Sequence, residues 1–257
     1  MNVREMFNLS GKVAIVTGGG RGIGLKMAEG LAEVGAHIVL CSRKVENCEK
    51  AAKDLTKLGV KTLAMACDVK SPTSIQSVVD KVLEQFGRLD ILVNNSGVTW
   101  GGTPEDYPLE GWEKVMDTNM TGAFLFSQMA GRVMIRQKSG NIINIASVMG
   151  VVGLESDVAD AIAYSASKGA LITFTKDLAS KWAKYNIRVN AIAPGWFPTD
   201  MTHWVLEHQG KKILSLVPMG RYGDPEELKG AVVYLASEAS RYVTGIVLPV
   251  DGGQLAI

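Results

Sequence analysis

The chain has 257 residues, 47% of them hydrophobic and 21% charged, which is enough apolar material for a substantial core and excludes a disordered or fibrous architecture. Lysine and arginine total 27 against 26 acidic residues, a net charge of +1 that gives no excess positive field for a nucleic acid or an anionic membrane.

The first element is Val13 to Gly24, reading Val-Ala-Ile-Val-Thr-Gly-Gly-Gly-Arg-Gly-Ile-Gly. An uninterrupted apolar run predicts a buried parallel strand, and the glycines predict a sharp turn into a helix that opens near Gly22 with free N–H groups. Such a helix start suits an anion. Ile23, Met27, Leu31 and Val34 keep a helical period that Gly35 closes, and His37 to Cys41 reads as the next strand, completing one βαβ unit. Just past that strand stand Ser42, Arg43 and Lys44, with no acidic residue to bond a ribose 2′-OH. A 2′-phosphate would meet the Arg43 guanidinium there, paired with Arg21 of the glycine turn, so NADP(H) is favoured over NAD(H).

Val45 to Leu58 reads as a helix and Lys61 to Cys67 as a third strand, followed by Asp68 and Val69. Asp68 faces the cofactor edge of the sheet, suited either to an adenine amino group or to capping the helix expected over Ser71 to Phe86. Leu89 to Val93 is the fourth strand. Asn94, Asn95, Ser96 and Gly97 follow, and the asparagines suit turn hydrogen bonds or bracing of the central strand.

Gly111 to Gln137 reads as one long helical stretch with Asn119 inside it, a poor helix former that needs partners if buried. Asn141 to Ser147 is the fifth strand and places Ser147 at its C-terminal end, where open α/β sheets bind ligands. Tyr164 and Lys168 are spaced to share one helix face. Arg188 to Ala193 is the sixth strand, stopped by Pro194-Gly195. Thr199 to Gly223 reads as a helix-poor connection long enough to cover a substrate. Glu226 to Ser237 is a last helix and Ile246 to Val250 a last strand, with no linker or composition break, so one domain is expected over 1–257.

Cys41, Cys48 and Cys67 form no C-x-x-C pair and read as buried small hydrophobes in a reducing compartment. With no basic-then-apolar leader pattern and no run of roughly 18 apolar residues, a cytoplasmic location is expected. His37, His203 and His208 have no zinc-ligand spacing, and no metal is expected.

Taken in order, Thr17-Gly18-x-x-x-Gly22-x-Gly24, Asp68, Asn94-Asn95-Ser96-Gly97, Asn119, Ser147, Tyr164-x-x-x-Lys168, Pro194-Gly195 with Thr199, and Asp251-Gly252-Gly253 resemble the short-chain dehydrogenase/reductase family. The likeness runs from about Leu9 to Gly253. It implies a single-domain, Rossmann-type three-layer α/β sandwich with a seven-stranded parallel sheet, and a homotetramer, with the helices around Met116 to Met134 and Ala166 to Trp182 and the apolar C-terminus as contact surfaces. It also implies that Tyr164 is the acid/base, Lys168 binds the nicotinamide ribose, Ser147 holds the carbonyl and Asn119 supports a proton-relay water. The implied cofactor seat comprises Gly18, Gly20, Arg21, Gly22, Ile23, Gly24, Ser42, Arg43, Asp68, Val69, Asn95, Ser96, Gly97, Tyr164, Lys168, Pro194, Gly195, Phe197 and Thr199.

Tyrosine titrates near 10, so work at neutral pH requires stabilising its phenolate by about 3 units, or roughly 4 kcal/mol. One ammonium at about 4 Å and an effective dielectric near 20 supplies that much, which makes Lys168 sufficient in principle.

The chain departs from the family pattern at Ser96, where alanine is usual, and in a longer loop from Ser147 to Tyr164 that carries Glu155, Asp157 and Asp160. Trp100-Gly101-Gly102 and Phe197-Pro198-Thr199 are similar to 3-oxoacyl thioester reductases, including those serving rhamnolipid precursors. Ala193 to Trp196 and Pro218 to Arg221 are similar to gluconate 5-dehydrogenases. A carrier-bound thioester would call for basic residues at the cleft mouth, with Arg132, Arg136, Lys211 and Lys212 as candidates. The acidic loop would repel a sugar acid if it faced inward. The expectation is reduction of a small-molecule ketone, most closely a 3-oxoacyl thioester, with a gluconate 5-dehydrogenase-like activity as the alternative and a catalytically silent nucleotide-binding protein as a remote one.

Overall fold

The computed structural model describes residues 1–257. A short α1 (Val3–Met6) leads into β1 (Val13–Thr17), α2 (Gly22–Glu33), β2 (His37–Ser42), α3 (Val45–Thr56), β3 (Thr62–Ala66), α4 (Pro72–Phe86) and β4 (Ile91–Asn94). Then follow α5 (Leu109–Met116), α6 (Gly122–Gln137), β5 (Gly140–Ile145), α7 (Ile162–Trp182), β6 (Ile187–Pro194), α8 (His203–Ser215), α9 (Leu228–Ala236) and β7 (Val247–Val250). The strands form one parallel sheet in the order β3-β2-β1-β4-β5-β6-β7. This is the expected single-domain, Rossmann-type three-layer sandwich. No helix is long and apolar enough to cross a membrane.

The two-residue period of the strands sorts their side chains onto opposite faces. Ala14, Val16, Ile38, Leu40, Ile91 and Val93 pack with Met27 and Leu31 of α2, Leu55 of α3 and Val232 of α9. Their alternating neighbours Val13, Ile15, Val39, Cys41 and Leu92 pack with Ile75 and Val79 of α4 and Phe126 and Val133 of α6. Because both faces are covered, β1 is apolar from Val13 to Val16, and all five of its residues, Thr17 included, are buried. The chain order reverses at β1, which lies between β2 and β4, and this leaves a crevice at the C-terminal ends of β1 and β4.

Two expectations are corrected. The stretch from Gly111 to Gln137 is not one helix: a π-helical turn over Asp117–Thr121 separates α5 from α6, with Asn119 buried in it. The Asn119 side chain is drawn to the loop after β4, and this competes with a regular helical register. The segment from Thr199 to Gly223 is not helix-poor, since it contains α8. A glycine in mid-helix and sparse apolar spacing hid that helix, yet Gly210 has a packing reason: a Cβ there would lie 2.5 Å from the Tyr222 hydroxyl. α8 thus gives up a side chain to let Tyr222 in.

Candidate active site

β1 ends in Thr17, whose buried hydroxyl accepts the backbone N–H groups of Asn95 at 3.0 Å and Ser96 at 2.9 Å. Asn95 returns the bond through Nδ2, donating to the carbonyl oxygens of Thr17 at 2.9 Å and Gly18 at 3.3 Å. The asparagine expected to brace the central strand therefore also ties the glycine turn to β4. Gly18 takes φ = +65°, a conformation that glycine adopts without strain. Gly24 is required by contact, since a Cβ there would lie 2.3 Å from Asn95 Nδ2. Asn94 turns the other way, into the core, and donates to Ser127 Oγ and Asn144 Oδ1.

Asp68 does not cap the following helix. Ser71 does, while Asp68 accepts the Lys70 N–H at 3.0 Å and holds its own turn.

Ser147 lies two residues past the end of β5, where its Oγ accepts the Met149 N–H at 3.2 Å. Its proton remains available to an acceptor in the cavity. Tyr164 and Lys168 lie in the first two turns of α7, and Lys168 Nζ stands 5.5 Å from the Tyr164 ring centroid. Lys168 is 4% exposed and donates to the Ile145 carbonyl at 2.6 Å. Burial pushes its pKa down to about 8. Burial also raises the Tyr164 phenol above its ordinary value, with the Ser147 hydroxyl pulling the other way. The expectation that Lys168 alone brings the phenol to neutrality is therefore corrected. The ammonium is turned to a backbone carbonyl, and desolvation dominates both titrations.

Asn119 is 1% exposed. Its Oδ1 accepts the Val98 N–H at 2.8 Å, and its Nδ2 donates to the Val98 carbonyl and to Ser167 Oγ, each at 3.0 Å. The side-chain amide thus has protein partners for both of its N–H bonds and for its oxygen.

Ser147, Tyr164, Lys168 and every residue expected to seat the cofactor line one cavity of about 680 Å³ at the C-terminal edge of the sheet. Asn119 is the exception and stands behind the wall. The cavity also takes in Lys44, Asn47, Thr118 and Asp200, to which the sequence assigned no role. Lys44 was within reach of inference from its place beside Arg43. Asp200 carried no local signal, because it binds Arg21 at 2.5 Å across 179 residues of chain.

The cations divide the cavity. Arg43 and Lys44, at the end of β2, are exposed and have no carboxylate partner, whereas Arg21 is held by Asp200. On the substrate side, Lys212 of α8 is bound by Glu155 and Asp157 of the long loop after β5. The expectation of basic residues at the mouth fails here: Lys212 is neutralised, and Arg132, Arg136 and Lys211 do not line the cavity. Glu155 and Asp157 are thereby engaged by α8. Beneath α8 lies a small apolar cluster of Val158, Trp196, Ile213 and Val217.

The cavity fits a nicotinamide dinucleotide on three counts. The N–H groups of Gly22, Ile23 and Gly24 open α2 without a protein acceptor, and Arg21, at the cap position, makes no side-chain capping bond. The uncommitted cations lie one strand over. A Cβ at Gly97 would stand 3.7 Å from Lys168 Nζ and 3.4 Å from Asn119 Oδ1, so glycine keeps open the space that Lys168 faces.

The family model described as enoyl-(acyl carrier protein) reductase matches residues 18–254, and the chain belongs to the short-chain dehydrogenase/reductase family, whose members use a nicotinamide cofactor. It is 41% identical over 253 residues to the rhamnolipids biosynthesis 3-oxoacyl-(acyl-carrier-protein) reductase of Pseudomonas aeruginosa, covering 96% of this chain and 97% of that protein. It is 40% identical over 257 residues to the 2-dehydro-3-deoxy-D-gluconate 5-dehydrogenase of Dickeya dadantii, covering 99% of each. Among solved structures, a gluconate 5-dehydrogenase from Burkholderia cenocepacia in complex with NADP and tartrate superposes with a TM-score of 0.94 at 34% identity over the whole of both chains. The protein is an oxidoreductase of the CH–OH/C=O type.

Proposed function

We propose that the protein is an NADP(H)-dependent reductase that converts a ketone to a secondary alcohol, with a 3-oxoacyl thioester or related carbonyl as substrate. The observation that carries this reading is the meeting of Ser147, Tyr164 and Lys168 in one cavity at the sheet's C-terminal edge. The bound nicotinamide supplies the hydride. Ser147, its oxygen already accepting from Met149, donates its proton to the substrate carbonyl oxygen and orients it. Tyr164 delivers the proton to that oxygen: burial keeps its phenol protonated beforehand, and the Ser147 hydroxyl eases its release. Lys168 holds the nicotinamide ribose and adds positive charge beside the phenolate that remains. The first turn of α2 takes the pyrophosphate, and Arg43 with Lys44 takes the 2′-phosphate, a placement supported by their freedom from other partners.

One feature supports a neutral carbonyl substrate over a sugar acid: Lys212 is already paired with Glu155 and Asp157 and so is not free to meet a substrate carboxylate. NADPH oxidation measured side by side with an acetoacetyl thioester and 5-ketogluconate is expected to be faster with the thioester. Faster turnover of the sugar acid moves the assignment to a gluconate 5-dehydrogenase-like activity. Tight NADPH binding with no reduction across a broad ketone panel reverts it to a silent nucleotide-binding protein. Tyr164→Phe is expected to abolish turnover and preserve NADPH binding.

For assembly, Phe124 of α6 is exposed and meets Phe174 of α7 edge to face at 6.3 Å. This apolar surface supports a homotetramer, and a monomeric mass by light scattering overturns that reading. The three cysteines are free and buried, which suits a cytoplasmic place of action.

A further inference from the structure

Between Tyr164 and Lys168 lies Ser167, 0% exposed and facing away from the cavity they line. Its hydroxyl oxygen accepts from Asn119 Nδ2 at 3.0 Å, and its proton is donated to the backbone carbonyl of Tyr164 at 2.7 Å. Asn119 in turn holds both backbone polar groups of Val98. A continuous buried path therefore runs from the loop after β4, through the π-helical turn, to the backbone of Tyr164.

Two features give the path a function. α7 opens at Ala161 without a side-chain cap, so the turn that carries Tyr164 lacks the usual fixation of a helix start. The path supplies an anchor from the side instead. Its other end is Val98, next to Gly97, and a Cβ at Gly97 would touch Asn119 Oδ1 and face Lys168 Nζ. The same asparagine thus fixes the space in front of Lys168 and, through Ser167, the height of the Tyr164 backbone. The extra residue accommodated by the π-helical turn is what places Asn119 between these two loads.

We propose that Ser167 is a positioning residue for proton transfer, which sets Tyr164 against Ser147 by locking the Tyr164 carbonyl to Asn119. The proposal rests on Tyr164 being the acid/base. A misplaced proton donor slows the chemical step without weakening cofactor or substrate binding.

The test uses the full-length protein with NADPH and the best ketone found. Ser167→Ala is expected to lower kcat roughly 10- to 100-fold, to leave KM and the NADPH Kd within about twofold, and to keep the far-UV circular dichroism of the parent. In a double-mutant cycle, adding Ser167→Ala to Asn119→Ala is expected to cost no more than a further factor of about two, because Ser167 acts through Asn119. Ser167→Thr, which keeps the hydroxyl, is expected to retain kcat within a few-fold, and it decides the matter if the alanine variant does not fold. A kcat unchanged in Ser167→Ala overturns the proposal. So do a loss of cofactor affinity in parallel with kcat, fully multiplicative effects in the cycle, and a threonine variant as slow as the alanine one. Wild-type-like turnover in Tyr164→Phe overturns the acid/base reading itself, a result separate from any in the Ser167 series.

Discussion

At the β1–β4 crevice, Thr17 accepts two backbone N–H groups and Asn95 reaches back to two carbonyls, with Thr17 1% exposed. Across the cavity, the outer wall is fastened by ion pairs in water: Arg21 with Asp200, both side chains at least 70% exposed, and Lys212 with Glu155 and Asp157. Buried neutral bonds are costly to leave unmade, whereas exposed ion pairs exchange with solvent at little net cost. The first region is therefore a fixed seat, common to any dinucleotide that fits it. The second is a wall whose fastenings can be traded, which suits it to the substrate-selecting part of the proposed function.

The comparison breaks most sharply at Lys168, a charged group on the rigid side. Lys168→Met is expected to lower turnover by about a thousandfold or more, since ribose contact and phenolate stabilisation are lost together. Its stability signature has a definite sign. Below pH 8 the ammonium is charged in both states, and burying it costs the fold in full. Between about 8 and the ordinary lysine value of 10.5, the folded protein sheds a proton that the unfolded chain keeps, so stability rises with pH. Urea unfolding without cofactor should show the parent gaining on the order of 3 kcal/mol relative to Lys168→Met from pH 7 to 10.5. A difference flat across that window contradicts burial as the cause.

Thr17→Val keeps shape and removes the shared acceptor. The orphaned N–H groups of Asn95 and Ser96 are expected to cost about 2–4 kcal/mol in denaturant unfolding, with weaker cofactor binding. Full stability in that variant would show that the seat does not depend on this stitch. Arg43→Asp is expected to leave stability alone and to move the NADPH-to-NADH affinity ratio toward NADH by roughly 10- to 100-fold. An unchanged ratio removes Arg43 from the 2′-phosphate. The smallest effect is expected from Lys212→Gln, with no measurable change in the unfolding midpoint but a few-fold rise in substrate KM. A large loss of stability there would put the outer wall in the same class as the seat.

The rigid side was also the legible side. Buried strands announce themselves as apolar runs, and the glycine turn, Asn95, Tyr164 and Lys168 stand out by their spacing in the sequence and meet in one cavity of the structure. Where tertiary contact decides, in the outer wall and in the buried turn before α6 alike, the sequence is silent. α8 tolerates Gly210 because Tyr222 fills its place, and nothing near Gly210 in sequence says so. The π-helical turn follows from the pull of Val98 and Ser167 on Asn119, partners 21 and 48 residues away. The engagement of Lys212 with the acidic loop spans 55 residues and cancels the positive charge expected at the mouth.

The sheet order has a further consequence for how the chain comes into being. β1 to β4 and the helices between them are adjacent in both sequence and space, so this half can fold as it emerges from the ribosome. The wall formed by Pro194, Gly195, Phe197 and Thr199 arrives only with the last quarter of the chain. The cavity therefore lacks one wall for most of the chain's synthesis and is closed only when β6 has docked. A ligand that binds only the finished wall would favour the docked state of β6 by mass action.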